Sequence, residues 1–291
     1  MKILILGASG LIGSAIYKKL HTDSTLEVYG GMRDLNAAKF FKASLQKDIV
    51  HTGDLTIKDQ ILFLLEKVNP EVVINCAGLT KHRRGCDNPD IAMPINVDMP
   101  HHFASICNDR NIRFIHISSD CVFSGLKGNY FEEDHPDALD LYGKSKALGE
   151  VVSGNSLTLR TSTIGHELYS SYGLLEWFLD QGKECFGFSR AIFSGLPSVV
   201  FAEVIKNFVL SNNHLRGLYH VSADPINKYD LLKLIAKIYG KKIKIKQDSE
   251  ITIDRSLNYQ KFQVATGYTP DAWPDLIETM YKNYKTDTNY V

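Results

Sequence analysis

The stretch Gly7-Ala8-Ser9-Gly10-Leu11-Ile12-Gly13 follows the apolar run Lys2–Leu6 and opens a segment with helical periodicity. Gly7 permits a tight turn, Gly10 lets the backbone approach a pyrophosphate, and Gly13 lets the helix pack closely on the strand. A helix that begins here offers unpaired N–H groups to phosphates. Three glycines alone are weak evidence, but this strand–turn–helix context makes them specific. The stretch therefore predicts a dinucleotide-binding turn in a βαβ unit.

Short β-type runs and helical segments alternate through the first half of the chain. The predicted strands are Lys2–Leu6, Leu26–Tyr29, Asp48–His51, Val72–Asn75, Arg113–Ile117 and Ser156–Leu159. The predicted helices between them are Ile12–Leu20, Ile57–Val68, Ile95–Asp109 and Gly143–Val152. This alternation implies right-handed crossovers and a parallel sheet covered on both faces. The sequence thus predicts an α/β protein with a Rossmann-type doubly wound parallel sheet.

The rhythm changes in the second half, where Gly, Ser and aromatic residues are frequent over residues 165–200. Further predicted elements are the helices Leu174–Gln181 and Tyr229–Tyr239, the strand Gly217–Val221 and a half-exposed strand over 241–246. We predict a NAD(P)-binding Rossmann domain over residues 1–161, to which residues 198–222 return. A smaller C-terminal α/β substrate-binding domain is expected over residues 162–197 and 223–291.

Composition narrows the class of protein. The chain has 291 residues and equal numbers of basic and acidic side chains, 33 of each, which gives no electrostatic reason to bind nucleic acid or an acidic membrane. The apolar start is too short for a signal peptide or a membrane span. Five scattered cysteines without a CxxC pair, and ten histidines without a ligand-like spacing, predict neither disulfides nor a metal. We expect a cytoplasmic protein without nucleic-acid or membrane partners.

The end of the second predicted strand bears on the choice of cofactor. A carboxylate there would bond the adenine ribose hydroxyls and repel a 2′-phosphate. In Val28-Tyr29-Gly30-Gly31-Met32-Arg33-Asp34 the first charged group is instead Arg33, whose guanidinium fork suits a phosphate. If the Asp34 carboxylate turned inward to the ribose, it would favour NAD(H) instead. The sequence favours NADP(H), and NAD(H) stays open.

Residues that follow other predicted strands complete the expected cofactor site. Asp54 and Leu55 come after the third strand, where a carboxylate and a backbone amide suit the adenine amino group. The small residues Cys76, Ala77 and Gly78 end the fourth strand and let a dinucleotide lie across the sheet edge. Ordinary turns are the alternative reading of both segments. The predicted cofactor contacts are Gly7, Ser9, Gly10, Leu11, Ile12, Arg33, Asp54, Leu55, Cys76, Ala77, Gly78, Tyr142 and Lys146.

Tyr142-Gly143-Lys144-Ser145-Lys146 places a phenol and an ammonium on one face of a helix. A tyrosine with an ordinary pKa of about 10 is a poor acid or base at neutral pH, and a nearby lysine stabilises its phenolate. Ser119 ends the fifth predicted strand, at the edge where open α/β sheets bind ligands. Ser119, Tyr142 and Lys146 are therefore the predicted catalytic residues.

These motifs together resemble the extended short-chain dehydrogenase/reductase family, which has the early GxxGxxG, an Asn-x-Ala-Gly after the fourth strand and a Ser before Tyr-x-x-x-Lys. Within it the chain is most similar to the dTDP-4-dehydrorhamnose reductases. Their Ser-Thr-Asp-Tyr-Val-Phe-x-Gly run corresponds to Ser118-Ser119-Asp120-Cys121-Val122-Phe123-Ser124-Gly125. Further correspondences are Tyr142–Lys146, Leu159-Arg160-Thr161-Ser162, Gly217-Leu218-Tyr219-His220 and the segment from Leu257 to Gln263. The resemblance spans almost the entire chain.

The resemblance implies roles for individual residues. Ser119 replaces the family's Thr as the hydroxyl that binds the sugar carbonyl. Tyr142 is the proton donor, and Lys146 lowers its pKa and binds the ribose. Asn96 matches the helix asparagine that supports the lysine, with an ordinary polar helix residue as the alternative. The implied substrate contacts are Cys121, Val122, Phe123, Thr163 and Arg255.

Two departures from the family leave the substrate open. Cys121 stands where the family has Tyr, and Thr163 stands where it has an aromatic residue, and both positions are expected to face the sugar. We interpret Cys121 as a pocket-lining thiol rather than a nucleophile, because no cysteine or base is paired with it. The basic cluster Lys81-His82-Arg83-Arg84, and Arg190, are further candidates for contact with the substrate's diphosphate.

The expected activity is NAD(P)H-dependent reduction of a nucleotide-diphosphate 4-keto-6-deoxyhexose for cell-surface polysaccharide, as in dTDP-rhamnose biosynthesis. The expected partners are the sugar nucleotide and a second copy of the chain in a homodimer. A dehydratase of the same fold would need Asp-Glu after the catalytic hydroxyl, whereas Cys121 follows Asp120. An epimerase would retain NAD, which Arg33 disfavours. A non-catalytic dinucleotide-sensing regulator is the third alternative, although such proteins commonly lose the Tyr/Lys pair.

Overall fold

A computed structural model describes residues 1–81 and 84–288. The strands are β1 (Lys2–Leu6), β2 (Glu27–Met32), β3 (Ile49–His51), β4 (Val72–Asn75), β5 (Arg113–Ser119), β6 (Ser156–Thr161), β7 (Thr163–Ile164), β8 (Glu184–Phe188), β9 (Ala191–Phe193), β10 (Leu196–Pro197), β11 (Gly217–His220), β12 (Ile226–Asn227), β13 (Lys244–Asp248) and β14 (Ile253–Asp254).

The α-helices are α1 (Leu11–Leu20), α2 (Ala43–Gln46), α3 (Lys58–Val68), α4 (Pro89–Met93), α5 (Met99–Asp109), α6 (Leu141–Leu148), α7 (Leu174–Asp180), α8 (Ser198–Val204), α9 (Lys228–Tyr239), α10 (Gln260–Thr266) and α11 (Trp273–Thr288). Short 3-10 helices cover Leu35–Phe40 and Asp120–Val122. Wider π-helical turns cover Pro94–Asp98 and Ile205–Val209.

Within the described residues, seven parallel strands form one sheet in the order β11-β6-β5-β4-β1-β2-β3. The chain leaves β1 toward β2 on one side, and the other half of the sheet begins with β4 on the other side. Ligands bind in the crevice at such a switch point, outside the carboxyl ends of the strands. The predicted fold class, a doubly wound parallel sheet, is confirmed.

The central sheet is covered on both faces, as β1 shows. Ile3 and Ile5 pack into the apolar cluster that includes residues of α1 and α8. Leu4 and Leu6 pack into a second cluster with residues of α3 and α5. All four side chains are fully buried, which explains why the strand is an unbroken apolar run rather than an alternating one.

The catalytic helix differs from its predicted bounds, Gly143–Val152. Asp140 starts α6 earlier because its carboxylate accepts a hydrogen bond of 2.7 Å from the Gly143 N–H. The helix ends at Leu148, and Val151 is instead held by a hydrogen bond of 3.1 Å from its N–H to the Thr158 hydroxyl. Capping and tertiary contacts, rather than apolar periodicity, fix both ends.

The second half of the chain adds smaller sheets beside the central one. β13 pairs with β8, and β9 lies between β12 and β14. β11 returns to the central sheet, where it pairs with β6. The division into domains at the residue numbers given above stays a prediction. In residues 1–81 and 84–288, no helix has the length and apolar character needed to cross a bilayer.

Candidate active site

The glycine stretch forms a cradle that side chains would fill. Gly7 has φ of +72°, and a Cβ there would lie 2.8 Å from the Ala77 nitrogen. A Cβ on Gly13 would lie 2.2 Å from the Gly7 carbonyl oxygen. Gly10 occupies the N-cap of α1, so no capping side chain competes for the first amides of the helix. These features fit a bound pyrophosphate at the helix N-terminus.

The residues that follow β4 lie between the glycine cradle and the predicted catalytic lysine, since Ala77 adjoins Gly7 and Gly78 adjoins Lys146. A Cβ on Gly78 would lie 3.2 Å from Oδ1 of Asn96 and 4.0 Å from Nζ of Lys146. The small residues after β4 thus leave room for a flat group directly beside the lysine. Burial raises the pKa of the neighbouring Cys76 thiol to about 12, so that this thiol is neutral.

At the expected adenine end, Arg33 is exposed immediately after β2. Asp34 is used by its own chain, because its carboxylate accepts a hydrogen bond of 2.9 Å from the Asn36 N–H. That contact caps the 3-10 helix and leaves Arg33 as the charged side chain at this strand end. The geometry agrees with the reasoning that favoured NADP(H), while the cofactor preference stays a proposal.

The adenine contact at Asp54 and Leu55 stays a prediction. The Asp54 N–H donates to the Gln60 side chain. The Asp54 carboxylate accepts from the Thr56 N–H and hydroxyl, at 3.0 and 2.7 Å, and these bonds lower its pKa. Asp54 remains exposed and Leu55 half-buried, so their side chains stay candidates.

The three predicted catalytic residues converge where β5 ends against α6. The Lys146 ammonium donates a hydrogen bond of 3.0 Å to the Ile117 carbonyl oxygen, and the residue is only 6% exposed. The Ser119 hydroxyl accepts from the Cys121 N–H at 3.1 Å and donates to Asp120 at 3.1 Å. The Ser119 hydroxyl is also close enough to the Tyr142 phenol to lower its pKa against the larger effect of burial, which puts the two groups side by side.

Burial controls the charge of both ionisable groups in this trio. It raises the pKa of Tyr142 well above its ordinary value, so the phenol is protonated, and the predicted lowering of this pKa by Lys146 is not seen. Burial also lowers the pKa of Lys146 from 10.5 to about 8, against the opposing effect of the Glu150 charge. Lys146 is therefore an ammonium below about pH 8, next to a neutral phenol.

The hydrogen bonds of the Asn96 side chain go to Leu79 and Ser145 rather than directly to Lys146. Asn96 is 1% exposed, and its amide bonds both backbone groups of Leu79, accepting at 2.8 Å and donating at 3.2 Å. It also donates to the Ser145 hydroxyl at 3.0 Å. Its side chain thus joins the loop after β4 to the residue next to Lys146. A role in supporting the lysine, exerted through Ser145, stays a prediction.

On the substrate side, Arg255 stands beside Cys121. The Arg255 Nε–H donates to the Phe123 carbonyl oxygen at 2.7 Å, and Nη1 lies 3.9 Å from the Cys121 sulfur. Burial, followed by the Asp120 charge, raises the pKa of the Cys121 thiol to about 12. The thiol is therefore neutral, in keeping with a pocket lining rather than a nucleophile. Thr163 is half-buried in β7.

The contacts of Val122 and Phe123 with the substrate stay a prediction, and the structure limits which of their atoms could make them. Both are fully buried in an apolar cluster with Tyr130 and Leu257, and the rings of Phe123 and Tyr130 stack at 4.0 Å. Their side chains therefore cannot line a cleft, and only their backbone is left to meet a substrate. They support the loop that follows Ser119 instead.

Lys228 is a candidate site residue that the sequence reasoning missed. It begins α9 and is half-buried. Burial lowers its pKa, whereas the negative charge of Asp120 opposes that effect and the positive charge of Arg255 adds to it. These couplings place its ammonium near Arg255 and the segment after Ser119. The sequence offered only a helix start at this point, because Asp120 and Arg255 are far from Lys228 along the chain.

In the basic cluster that follows β4, Lys81 is already paired with a carboxylate of the chain. The Lys81 ammonium forms an ion pair of 2.7 Å with Asp140, the residue that caps the catalytic helix. His82 and Arg83 lie outside the described residues. Arg190 is exposed in the turn between β8 and β9. Among the residues that the structure describes, no three His, Cys, Asp or Glu side chains are grouped so as to hold a metal ion.

The doubly wound sheet, the glycine cradle and the convergence of Ser119, Tyr142 and Lys146 define an extended short-chain dehydrogenase/reductase. More narrowly, the chain belongs to the RmlD substrate binding domain family, whose model matches residues 1–174. The resemblance to the dTDP-4-dehydrorhamnose reductases, predicted from the motifs, is thereby confirmed.

The proteins similar to this chain include reductases and a beta subunit of methionine adenosyltransferase. The "probable low-salt glycan biosynthesis reductase Agl14" of Haloferax volcanii is 34% identical over 56% of this chain and 54% of its own length. A dTDP-4-dehydrorhamnose reductase of Aggregatibacter actinomycetemcomitans is 27% identical over 79% of this chain and 76% of its own. The methionine adenosyltransferase 2 subunit beta of Bos taurus is 33% identical over 51% of this chain and 41% of its own. The match thus spans about half of the first relative and less of the bovine subunit.

The fold also matches solved structures. The dTDP-4-dehydrorhamnose reductase of Bacillus anthracis, solved in complex with NADP, superposes with a TM-score of 0.80 at 19% identity. The superposition covers 97% of this chain and 99% of that one. At this identity the likeness establishes a shared fold over essentially the whole length of both chains.

Proposed function

We propose that the protein is an NAD(P)H-dependent reductase that acts on the C4 ketone of a nucleotide-diphosphate 4-keto-6-deoxyhexose. The observation that carries the proposal is the convergence of Ser119, Tyr142 and Lys146 beside a cradle that fits a dinucleotide. The two relatives named as reductases, one of them in glycan biosynthesis, support the reaction type and a role in cell-surface polysaccharide synthesis. NADP(H) is the favoured cofactor because of Arg33.

In this mechanism the bound nicotinamide supplies the hydride. Ser119 turns its hydroxyl from Asp120 to the substrate's carbonyl oxygen and holds it next to Tyr142. The protonated phenol then donates its proton to that oxygen as the alcohol forms. The Lys146 ammonium stabilises the resulting phenolate and is placed to bind the nicotinamide ribose. Lys146 is buried and Tyr142 half-buried, which limits the access of water to this proton transfer.

The alternative activities of the fold fit this site less well. A dehydratase would need a second acid/base after Asp120, where Cys121 presents a neutral thiol with a pKa of about 12. An epimerase would retain NAD, whereas Arg33 suits the 2′-phosphate of NADP(H). The similarity to a methionine adenosyltransferase subunit favours one other candidate, a non-catalytic regulator that binds a dinucleotide. The retention of both Tyr142 and Lys146 argues against that role.

The substrate-side residues suggest a roomier pocket than in the family's reductases. Cys121 and Thr163 are smaller than the aromatic residues they replace. The added space suits a bulkier substituent, such as an acetamido group, or a nucleotide other than dTDP. A pocket discriminates on size by only about 1–3 kcal/mol per methylene-scale change, so related sugars are expected to cross-react.

The decisive assay incubates the protein with NADPH and a panel of dTDP-, UDP- and GDP-linked 4-keto-6-deoxyhexoses. We expect NADPH absorbance to fall with one or two of them, because the catalytic trio supports reduction while the pocket selects the sugar. Analysis of the product should show a new hydroxyl at C4. Silence across the panel, from folded protein that still binds NADPH, would refute the reductase and favour the regulator.

Lys228 gives a second test of the substrate site. Lys228→Met should raise the KM for the sugar nucleotide about tenfold, the scale of one charge-assisted contact. NADPH affinity should change little, because the groups coupled to Lys228, Asp120 and Arg255, are on the proposed substrate side. Lys237→Met is the matched control. It removes the same charge from the same helix, but Lys237 is exposed. Equal KM values in the two variants would remove Lys228 from the site.

A further inference from the structure

A buried ion pair lies behind the catalytic helix. The Glu150 and Arg160 side chains are 8% and 3% exposed, and their closest atoms, Oε2 and Nη2, are 2.7 Å apart. The Arg160 Nε–H also donates to Glu150 Oε1 at 2.8 Å, so the contact is bidentate. The Ser118 hydroxyl donates to the same Oε1 at 2.6 Å. Three donors from two strands thus fix the carboxylate in one position.

The carboxylate is held one helical turn beyond Lys146. The chain continues the turn after α6, because the Gly149 N–H donates to the Ser145 carbonyl at 3.0 Å and the Glu150 N–H to that of Ala147 at 3.3 Å. Glu150 and Lys146 therefore lie on the same face. β5 binds both of them through adjacent residues, the carbonyl of Ile117 holding the ammonium and the hydroxyl of Ser118 holding the carboxylate.

Arg160 extends the contact to the loop that follows Ser119. Its guanidinium lies 4.9 Å from the centre of the Phe123 ring, and Nη1 is 3.3 Å from the His220 Nε2. The other nitrogen of His220 is 3.1 Å from the Tyr130 carbonyl oxygen. Burial and the Arg160 charge lower the pKa of His220 to about 3, so the imidazole is neutral and its Nε2 accepts a hydrogen bond from the Arg160 Nη1–H. Contacts with Phe123 and His220 therefore hold Arg160, and the Ser118 hydroxyl holds Glu150.

We propose that Glu150, fixed by Arg160 and Ser118, is a positioning residue for Lys146, whose ammonium it holds in place and keeps charged for contact with the cofactor ribose. The inference rests on the proposed function for the role of Lys146. It extends that role to a charge that touches neither the substrate nor the cofactor.

The other groups that face Lys146 do not supply this charge. Burial raises the pKa of Cys76 to about 12 and lowers that of His116 well below its ordinary value. The Tyr142 phenol is likewise protonated. All three are neutral near pH 7, so the Glu150 carboxylate is the anion that opposes the effect of burial on Lys146. Removing it would also leave the Arg160 cation unpaired, which disfavours the ammonium further.

The test is NADPH affinity as a function of pH in Glu150→Gln, measured by fluorescence titration without a sugar substrate from about pH 6 to about pH 9. At about pH 6 the affinity should lie within about twofold of the wild type, because Lys146 is still protonated. The pH at which affinity is lost should fall by about one unit, the usual scale for one nearby charge. Loss of affinity by the same factor at every pH, or an unmoved profile, would overturn the proposal.

Two further variants keep the test informative. Glu132→Gln is the matched control, because Glu132 is a buried glutamate that accepts from the His220 N–H at 2.7 Å, but it is not among the charges that shift the pKa of Lys146. Its pH profile should coincide with the wild type. If Glu150→Gln fails to fold, Glu150→Asp retains the charge at a greater distance and should shift the profile in the same direction by less. An unshifted Asp variant would then count against the proposal.

The outcome is separable from that of the reductase assay. A shifted NADPH-binding profile in a protein that reduces no sugar would refute the proposed function and leave the role of Glu150 intact. A sugar reductase whose Glu150→Gln variant binds NADPH with the wild-type pH profile would refute only the role of Glu150.

Discussion

Tyr142→Phe is expected to lower the turnover number of the proposed reduction at least 10²-fold, the usual scale for loss of a general acid. The substitution removes the hydroxyl that meets Ser119 and leaves the ring in place. NADPH binding should survive, because the glycine cradle and Lys146 are unchanged. Single-turnover measurement of NADPH oxidation with the preferred sugar nucleotide, beside a direct NADPH titration, separates chemistry from binding.

Tyr268→Phe is the matched control for this experiment. Tyr268 is also buried, and its hydroxyl donates a single hydrogen bond of 3.1 Å to the Ser222 carbonyl oxygen. Its loss should lower stability slightly, by about 1 kcal/mol for one buried hydrogen bond, and leave the turnover number near the wild-type value. Near wild-type turnover in Tyr142→Phe would instead show that another group donates the proton. Asp120, whose pKa is raised by burial, would then be the first candidate.

The fold was readable from the sequence because its signals are local. The turn at Gly7 requires a positive φ, and Gly13 has no room for a Cβ, so the residue types reveal the geometry. The strand β1 is buried on both faces and reads as an unbroken apolar run. The convergence of Ser119 and Tyr142 was predictable because both lie where a strand or helix meets the carboxyl edge of the sheet.

What the sequence did not reveal depends on tertiary contacts. Lys228 lies at the start of α9 and is coupled to Asp120 and Arg255, and nothing in its neighbourhood along the chain marks it as a candidate site residue. Phe123 matches a family motif, yet its side chain is buried and stacks on the Tyr130 ring. Glu150 looked like part of a helix, whereas the helix ends before it and its carboxylate pairs with Arg160. A motif identifies the residue types that can carry a reaction, but it does not show which way each side chain points in the fold.

The choice between cofactors can be decided at a single side chain. Arg33→Ala is expected to weaken NADPH binding about 10- to 100-fold, which corresponds to about 1.5–3 kcal/mol for a charge-assisted contact with a phosphate. NADH binding should change little, because NADH lacks the 2′-phosphate. The wild type should therefore prefer NADPH, and the variant should have lost most of that preference. Parallel fluorescence titrations of both proteins with both cofactors give the four dissociation constants.

A general loss of positive charge must be separated from loss of the specific contact. Lys39→Ala removes a cation from the adjoining 3-10 helix, where the Lys39 ammonium lies 5.2 Å from the centre of the Phe40 ring. This control should keep the NADPH preference, because a point charge on a neighbouring turn does not replace a guanidinium fork at the strand end. Tighter binding of NADH than of NADPH by the wild type would mean that Asp34 leaves its cap on Asn36 and turns to the ribose. Arg33 would then be a solvated loop residue, and the protein would use NAD(H).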